Sequence, residues 1–293
     1  MTALVDQIRE GCAWVAARAR HVRVDEDAIP AYAAALPAEP PPSEDAPDGP
    51  AALRAAYVLT LDAINFGSGW FPTLRKRDGR SGYHTIAAGL RERFERHGAW
   101  TPAELRSLTA AEVAEALGQD PDHELMALFA ASLNDLGTHL GDFAAGDSAV
   151  ALVEELAGWG CFADRSPYDG REIPFFKRAQ IAAADLHHAG VASFGDLDRL
   201  TLFADNLVPH VLRRDGVLRF DPALVTRIEA GEPIEHDSPE EVEMRAGAVH
   251  AAELICRARP GLTPQRADHI LWTRGGGARY KAVPRPRSRC TAY

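Results

Sequence analysis

The chain has 293 residues, of which 46% are hydrophobic and 25% charged, and its formal net charge is −10. That length supports one large domain or two small ones with a sizeable core, and the acidic balance argues against duplex nucleic acid as a partner, since non-specific binding rests on basic surface. No apolar run approaches a membrane span, no signal-peptide pattern follows Met1, and Cys12, Cys161, Cys256 and Cys290 form no CxxC, so they read as reduced thiols of a cytoplasmic protein.

Residues 3–20 place Leu4, Ile8, Cys12 and Val15 at helical spacing. His21-Val22-Arg23-Val24 alternates, as a short strand or an extended arm would. Residues 37–50 hold six prolines and four acids, a loop without packing capacity of its own. A helix over Ala51–Ile64 leads into LDAINFGSGWFP, where Asn65, Phe66 and Trp70 surround Gly67 and Gly69. Two readings stand there: close backbone approach to a ligand with stacking faces, or a buried aromatic turn closed by Pro72. The basic loop RKRDGR reads as a solvated loop, with a phosphate contact as the alternative.

From Thr101 the pattern is helical. TPAE and TAAE are capping boxes, and 123–141 and 149–160 carry core-facing stripes. CFADRSPYDGREIP is a turn-rich link into Ile173–Arg214, which reads as helix, short glycine-bounded hairpin, helix. Asp221-Pro222, Ser238-Pro239 and Thr263-Pro264 start further helices. The Ser238 helix is expected to bury Val242, Val249, Leu254 and Ile255, with Glu241 and Arg245 one turn apart. In the Thr263 helix, Asp268, His269, Trp272 and Thr273 can share a face. The last segment, from Leu271, has six basic residues and no acids, and Tyr280 and Tyr293 within it favour a docked end over a disordered tail. Strand signals are few, so the expectation is an all-α single domain spanning 1–293.

The chemistry concentrates in Ile173–Arg214. Lys177 follows two phenylalanines and is one of only three lysines. Asp205 sits inside the apolar run LTLFADNLV, where a carboxylate costs free energy unless it has a partner or a task. One reading makes it a helix cap or an arginine partner; the other aims it into a cleft from a helix irregularity. Pro209 supports the second reading if one helix runs through both residues, because it cannot donate to the carbonyl of Asp205. The alternative is that Pro209 starts a new helix, with Asp205 in the last turn of the old one. No Walker loop, GxGxxG after a strand, GxSxG, HExxH or HxxxH occurs, so no metal and no cofactor is expected.

INFGSGWFP, FFKRAQI, LTLFADNLVPHVLR, DHILWTRG and PRSRCTAY, in this order along nearly the whole chain, resemble the queuosine salvage protein family. The resemblance implies a fold related to helix–hairpin–helix DNA glycosylases, with 173–214 as the catalytic unit. It implies hydrolysis of the N-ribosidic bond of queuosine 5′-monophosphate, releasing queuine for tRNA modification. The family's catalytic acid falls on Asp205, its lysine on Lys177 and its base-contacting aromatic on Phe203. His21 aligns with a histidine of the base pocket. The motif Asp–aromatic–any–Leu–Trp falls on Asp268 to Trp272; His269 stands where Tyr is usual, and Thr273 where an acid is common. Asn65 and Phe66 complete the expected substrate-binding set, with Arg245, the RKR loop, Arg287 and Arg289 as donors for the phosphate. A monomer acting on a small molecule is expected. A DNA-repair glycosylase and a non-catalytic queuine- or nucleotide-binding module are the competing readings.

Overall fold

The computed structural model describes residues 2–39, 46–77 and 79–293; residues 40–45 of the proline-rich loop and residue 78 of the basic loop lie outside them. In chain order the elements are α1 (Leu4–Ala16), β1 (Val22–Val24), α2 (Ile29–Ala35), α3 (Ala51–Ala63), α4 (Gly82–His97), α5 (Pro102–Leu105), α6 (Ala110–Leu117), α7 (Glu124–His139) and α8 (Ala149–Leu156). There follow β2 (Arg165–Tyr168), β3 (Arg171–Pro174), α9 (Lys177–His188), α10 (Leu207–Arg214), β4 (Leu218–Phe220), α11 (Pro222–Glu229), α12 (Pro239–Ala258), α13 (Pro264–Gly275) and α14 (Ala278–Lys281). The fold is mainly helical, as expected, and among the described residues the strands form only two-stranded ladders. No described helix is long and apolar enough to cross a membrane.

Two compact units divide the chain: Met1–Ser43, Asp164–Lys177 and Asp196–Arg289 form the first, and Glu44–Ala163, Arg178–Gly195 and Cys290–Tyr293 the second. Of the expected helix–hairpin–helix unit, α9 beyond Lys177 belongs to the second unit and α10 to the first. The connection over 189–206 is longer than the hairpin read from the sequence and contains a single 3₁₀ turn, Leu197–Arg199.

In the first unit α12 is the central element, packed by α1, α2, β1 and α13. Its stretch 241–249 is buried on every side, with Val242, Met244 and Val249 shielded from solvent beside the buried charged groups of Glu241, Glu243 and Arg245. Its alanines at 246, 248, 251 and 252 let neighbours approach closely. Leu254, expected in the core, is half-buried instead. The predicted stripe of α1 is buried in full: Leu4, Ile8, Cys12 and Val15. Val22 to Val24 form a strand, paired antiparallel with β4 in the register Val22↔Phe220. The link over 161–174 holds a β2–β3 hairpin turning at Asp169 and Gly170, both at positive φ. Asp-Gly between alternating residues is a hairpin signal that the reading as a plain link passed over. Asp221 and Ser238 cap α11 and α12 through their side chains. Thr263 precedes α13 without a side-chain cap bond, and α14 follows it.

In the second unit α3, α5 and α6 pack on α7. Both predicted capping boxes form, Thr101 with Glu104 and Thr109 with Glu112. The segment after α3 is a packed turn: Gly67 has φ +98°, and a Cβ there would lie 2.6 Å from Leu125 Cδ1. The Gly67 N–H donates to the carbonyl of Tyr293 at 3.0 Å. Cys290, Ala292 and Tyr293 are buried, so the basic C-terminal segment ends docked.

Candidate active site

The stretch 200–205 has no regular secondary structure, and α10 begins at Leu207. This corrects both helical placements of Asp205. Its neighbours explain why no helix forms there. The Phe203 N–H donates to Asp268 Oδ1 at 3.1 Å, and the Ala204 carbonyl accepts from Arg245 Nε at 3.1 Å. These side chains satisfy groups that a helical ladder would otherwise need. Pro209 falls in the first turn of α10, where its missing N–H costs nothing.

Asp205 is 8% exposed, and its Oδ1 accepts from the amides of Leu207 and Val208, both at 2.9 Å. The cap reading is therefore realised, but on one oxygen only; Oδ2 takes no part in it. The α13 helix comes close at this point: a Cβ on Gly275 would sit 2.8 Å from Leu207 Cδ1. Glycine at 275 thus lets Leu207, one of the two capping amides, lie against α13.

Arg245 is 1% exposed. Besides Ala204 it binds Asp164, Nη2 to Oδ2 at 2.7 Å, and its guanidinium lies 4.0 Å from the centre of the Phe175 ring. The expectation that Arg245 meets a substrate phosphate is corrected: its groups hold the backbone next to Asp205. Asp164, which the sequence reading missed, is the hub. Its Oδ2 also accepts the Lys177 N–H at 2.9 Å, and its carbonyl accepts from Phe175 and Phe176 at 3.1 and 3.3 Å. Phe176 is held at φ +47°, a left-handed conformation that a bulky residue rarely adopts. It turns β3 into α9 and places the buried Lys177 at the helix start.

His21 is half-buried beside β1. A second residue missed in the sequence, Glu243, sets its position. Glu243 Oε2 accepts the amides of Arg20, His21 and Val22 at 3.0, 2.6 and 3.0 Å, and Oε1 accepts the Tyr168 hydroxyl at 2.8 Å. An acid inside the core-facing stretch EEVEMRAG was the available signal. On α13, His269 and Trp272 are half-buried and Thr273 is exposed; Trp272 stands one turn beyond the buried Asp268.

Asn65, Phe66 and the basic loop lie in the second unit, and Arg287 and Arg289 in the first. Phe66 is 1% exposed, packs edge-on against Phe129 at 5.0 Å and lies under the Arg178 guanidinium, so it is core rather than a ligand contact. Asn65 is half-buried and donates to Asp62 at 3.3 Å. In the basic loop, Arg75 pairs with Asp120 and Arg77 with Glu92. Among the described residues one group has metal-ligand spacing, His236, Asp237 and Glu241 within 4.8 Å. Arg245 Nε stands 3.8 Å from Glu241 Oε1, a cation where an ion would need the carboxylate.

Hydrogen bonds thus join Phe203 to Asp268 and Ala204 to Arg245, and through Asp164 to the Lys177 backbone, in one region of the first unit where Asp205 directly follows Ala204. The model of the queuosine salvage protein family matches residues 46–293. Three similar proteins are each named queuosine 5′-phosphate N-glycosylase/hydrolase. The one from Sphaerobacter thermophilus is 34% identical over 95% of this chain and 95% of its own. Those from Dictyostelium discoideum and Nematostella vectensis are each 30% identical, over 82% and 68% of this chain and 78% and 64% of their own.

Proposed function

Because this chain belongs to the queuosine salvage protein family, we propose that it is an N-glycosyl hydrolase cleaving queuosine 5′-phosphate between ribose and the 7-deazaguanine base. The observation that carries this reading is the half-used carboxylate of Asp205. Its Oδ1 is fixed by two amides at the start of α10, which leaves Oδ2 for a reacting group.

Breaking an N-ribosidic bond builds positive charge on the ribose ring. A carboxylate already oriented stabilises that charge without reorganising, worth on the order of several kcal/mol in a dry site. Asp205 takes this role. Water supplies the hydroxyl that ends on C1′ and, on balance, the proton that the departing base takes. A 7-deazapurine has no nitrogen 7 to protonate, so the leaving base needs contacts elsewhere. Asp268 meets its guanine-like edge, while Phe203, His269 and Trp272 supply flat faces around it. The bond from Phe203 N–H to Asp268 keeps the aromatic and the acid in register.

Arg245, Asp164 and Lys177 act through position. Arg245 holds the Ala204 carbonyl, and Asp164 joins that arginine to the first residue of α9. The protein works on the free nucleotide, as a cytoplasmic monomer without duplex nucleic acid. Its four cysteines are free thiols, and burial pushes those of Cys12, Cys161 and Cys256 upward, the last to about 12.

Incubating the purified protein with queuosine 5′-monophosphate is expected to release queuine, read by chromatography, and Asp205→Asn is expected to stop it. Unchanged release by that variant removes Asp205 from the chemistry; no release by the wild type removes the proposed activity.

A further inference from the structure

The substrate proposed above carries a dianionic phosphate, and of the donors expected for it from the sequence Arg245 and the basic loop are engaged elsewhere. Arg245 is interior, and Arg75 and Arg77 of the basic loop are paired with carboxylates. The segment from Pro284 to Arg289 holds the other expected donors, Arg287 and Arg289, and adds Arg285. Its burial alternates: Pro286 and Ser288 are inside, Arg285 and Arg287 are half-buried, and Arg289 is exposed. Alternate residues of an extended chain share a side, so Arg285 and Arg287 face the same way. The segment is anchored on both flanks. Asn206, next to Asp205, donates its Nδ2 to the Pro286 carbonyl at 2.7 Å, and the Ile234 N–H donates to the Arg287 carbonyl at 2.8 Å. The residue between the two arginines is therefore pinned against the residue that follows Asp205.

Arg285 has a second distinction. Its Nε is buried and, among the described residues, takes no hydrogen bond. A buried guanidinium nitrogen without an acceptor is costly and asks for one. Burial lowers the pKa of Arg285, opposed by the nearby charge of Asp205, and Arg287 falls to about 10 through burial and then the repulsion of Arg285. Two like charges are thus kept close, with one catalytic carboxylate near them. A bound dianion relieves that repulsion and fills the empty donor position, and the planar fork of arginine suits phosphate oxygens.

We propose that Arg285, assisted by Arg287, holds the 5′-phosphate of the substrate and makes the enzyme prefer nucleotide over nucleoside. This rests on the reading of the substrate as a nucleoside 5′-phosphate. The competing role for Arg285 is to keep Asp205 ionised, which would serve both substrates alike.

Two measurements separate these. In titration calorimetry the wild type is expected to bind ribose 5-phosphate more tightly than ribose, and Arg285→Gln to lose that difference. In turnover, the ratio of kcat/KM for queuosine 5′-phosphate to that for queuosine is expected to fall on the order of 10²-fold in Arg285→Gln, as for a lost charge-assisted pair. Arg285→Lys keeps the charge but not the fork; should the glutamine variant not fold, it is expected to show the same losses to a smaller degree. Wild-type binding that ignores the phosphate, or a preference ratio unchanged in the variants, overturns the proposal. If the wild type releases no queuine yet shows phosphate-dependent binding that Arg285→Gln abolishes, the proposed activity fails and the phosphate site stands.

Discussion

Two buried acidic regions of the first unit differ in how far their carboxylates are used. Around Glu243, both oxygens are taken: three consecutive amides and a tyrosine hydroxyl share them. Around Asp205, one oxygen takes two amides, and the groups nearby are incompletely bonded. Arg285 Nε has no acceptor among the described residues, and Nδ1 of the buried His210, a turn into α10, has no hydrogen-bond partner there either. A saturated carboxylate is a structural clamp, because every donor it releases becomes a buried orphan. A half-saturated one is held in place and keeps an oxygen for chemistry. The proposed role of Asp205 rests on this contrast.

The largest expected effect sharpens this contrast directly. Asp205→Asn keeps an oxygen for the two amides and loses the charge, so kcat is expected to fall on the order of 10³-fold while Tm barely moves. Glu243→Ala is expected to do the reverse: about 3 kcal/mol of stability is lost as three amides are orphaned, a drop in Tm of roughly 6 °C by thermal unfolding. A variant pair that shows both effects at both sites would break the distinction.

Arg245→Lys tests the positioning of Asp205. Lysine cannot reach Ala204 and Asp164 in the same plane, so kcat is expected to fall about 10-fold with KM little changed, and the pH–rate profile to shift with the geometry of the acid. A change in Tm alone would assign Arg245 to packing.

The smallest effect concerns the unsaturated side. Burial first, and then Arg213, Arg285 and Arg214, lower the pKa of His210 to about 4 from 6.5, against the opposing bond to the Tyr280 carbonyl. Below pH 6.5 the unfolded chain takes up this proton more readily than the fold, so the His210 contribution is whole above that pH and is lost on descent toward pH 4. The pH dependence of Tm between these limits is expected to flatten in His210→Gln; an unchanged slope means that other groups set acid stability.

Much of this site was legible in the sequence, for identifiable reasons. Asp205 stood out because a carboxylate inside LTLFADNLV is costly, and Asp268 because it opened a motif with Leu271 and Trp272. Phe66 misled because an aromatic beside glycines looks alike whether it meets a ligand or Phe129. Arg245 misled because the sequence shows a cation one turn from an acid, not a guanidinium closed in by Asp164, Ala204 and Phe175. Asp164 and Glu243 were passed over because each serves partners far along the chain.

The amino-acid order alone determined the helical class, the capping boxes at Thr101 and Thr109, the buried stripe of α1 and the family, since caps, periodicity and motifs are local or nearly so. Only the tertiary structure decided that Asp205 precedes a helix rather than sits in one. Backbone conformation there depends on Arg245 and Asp268, which reach it from remote helices and satisfy the amide and carbonyl that a helix would otherwise have bonded.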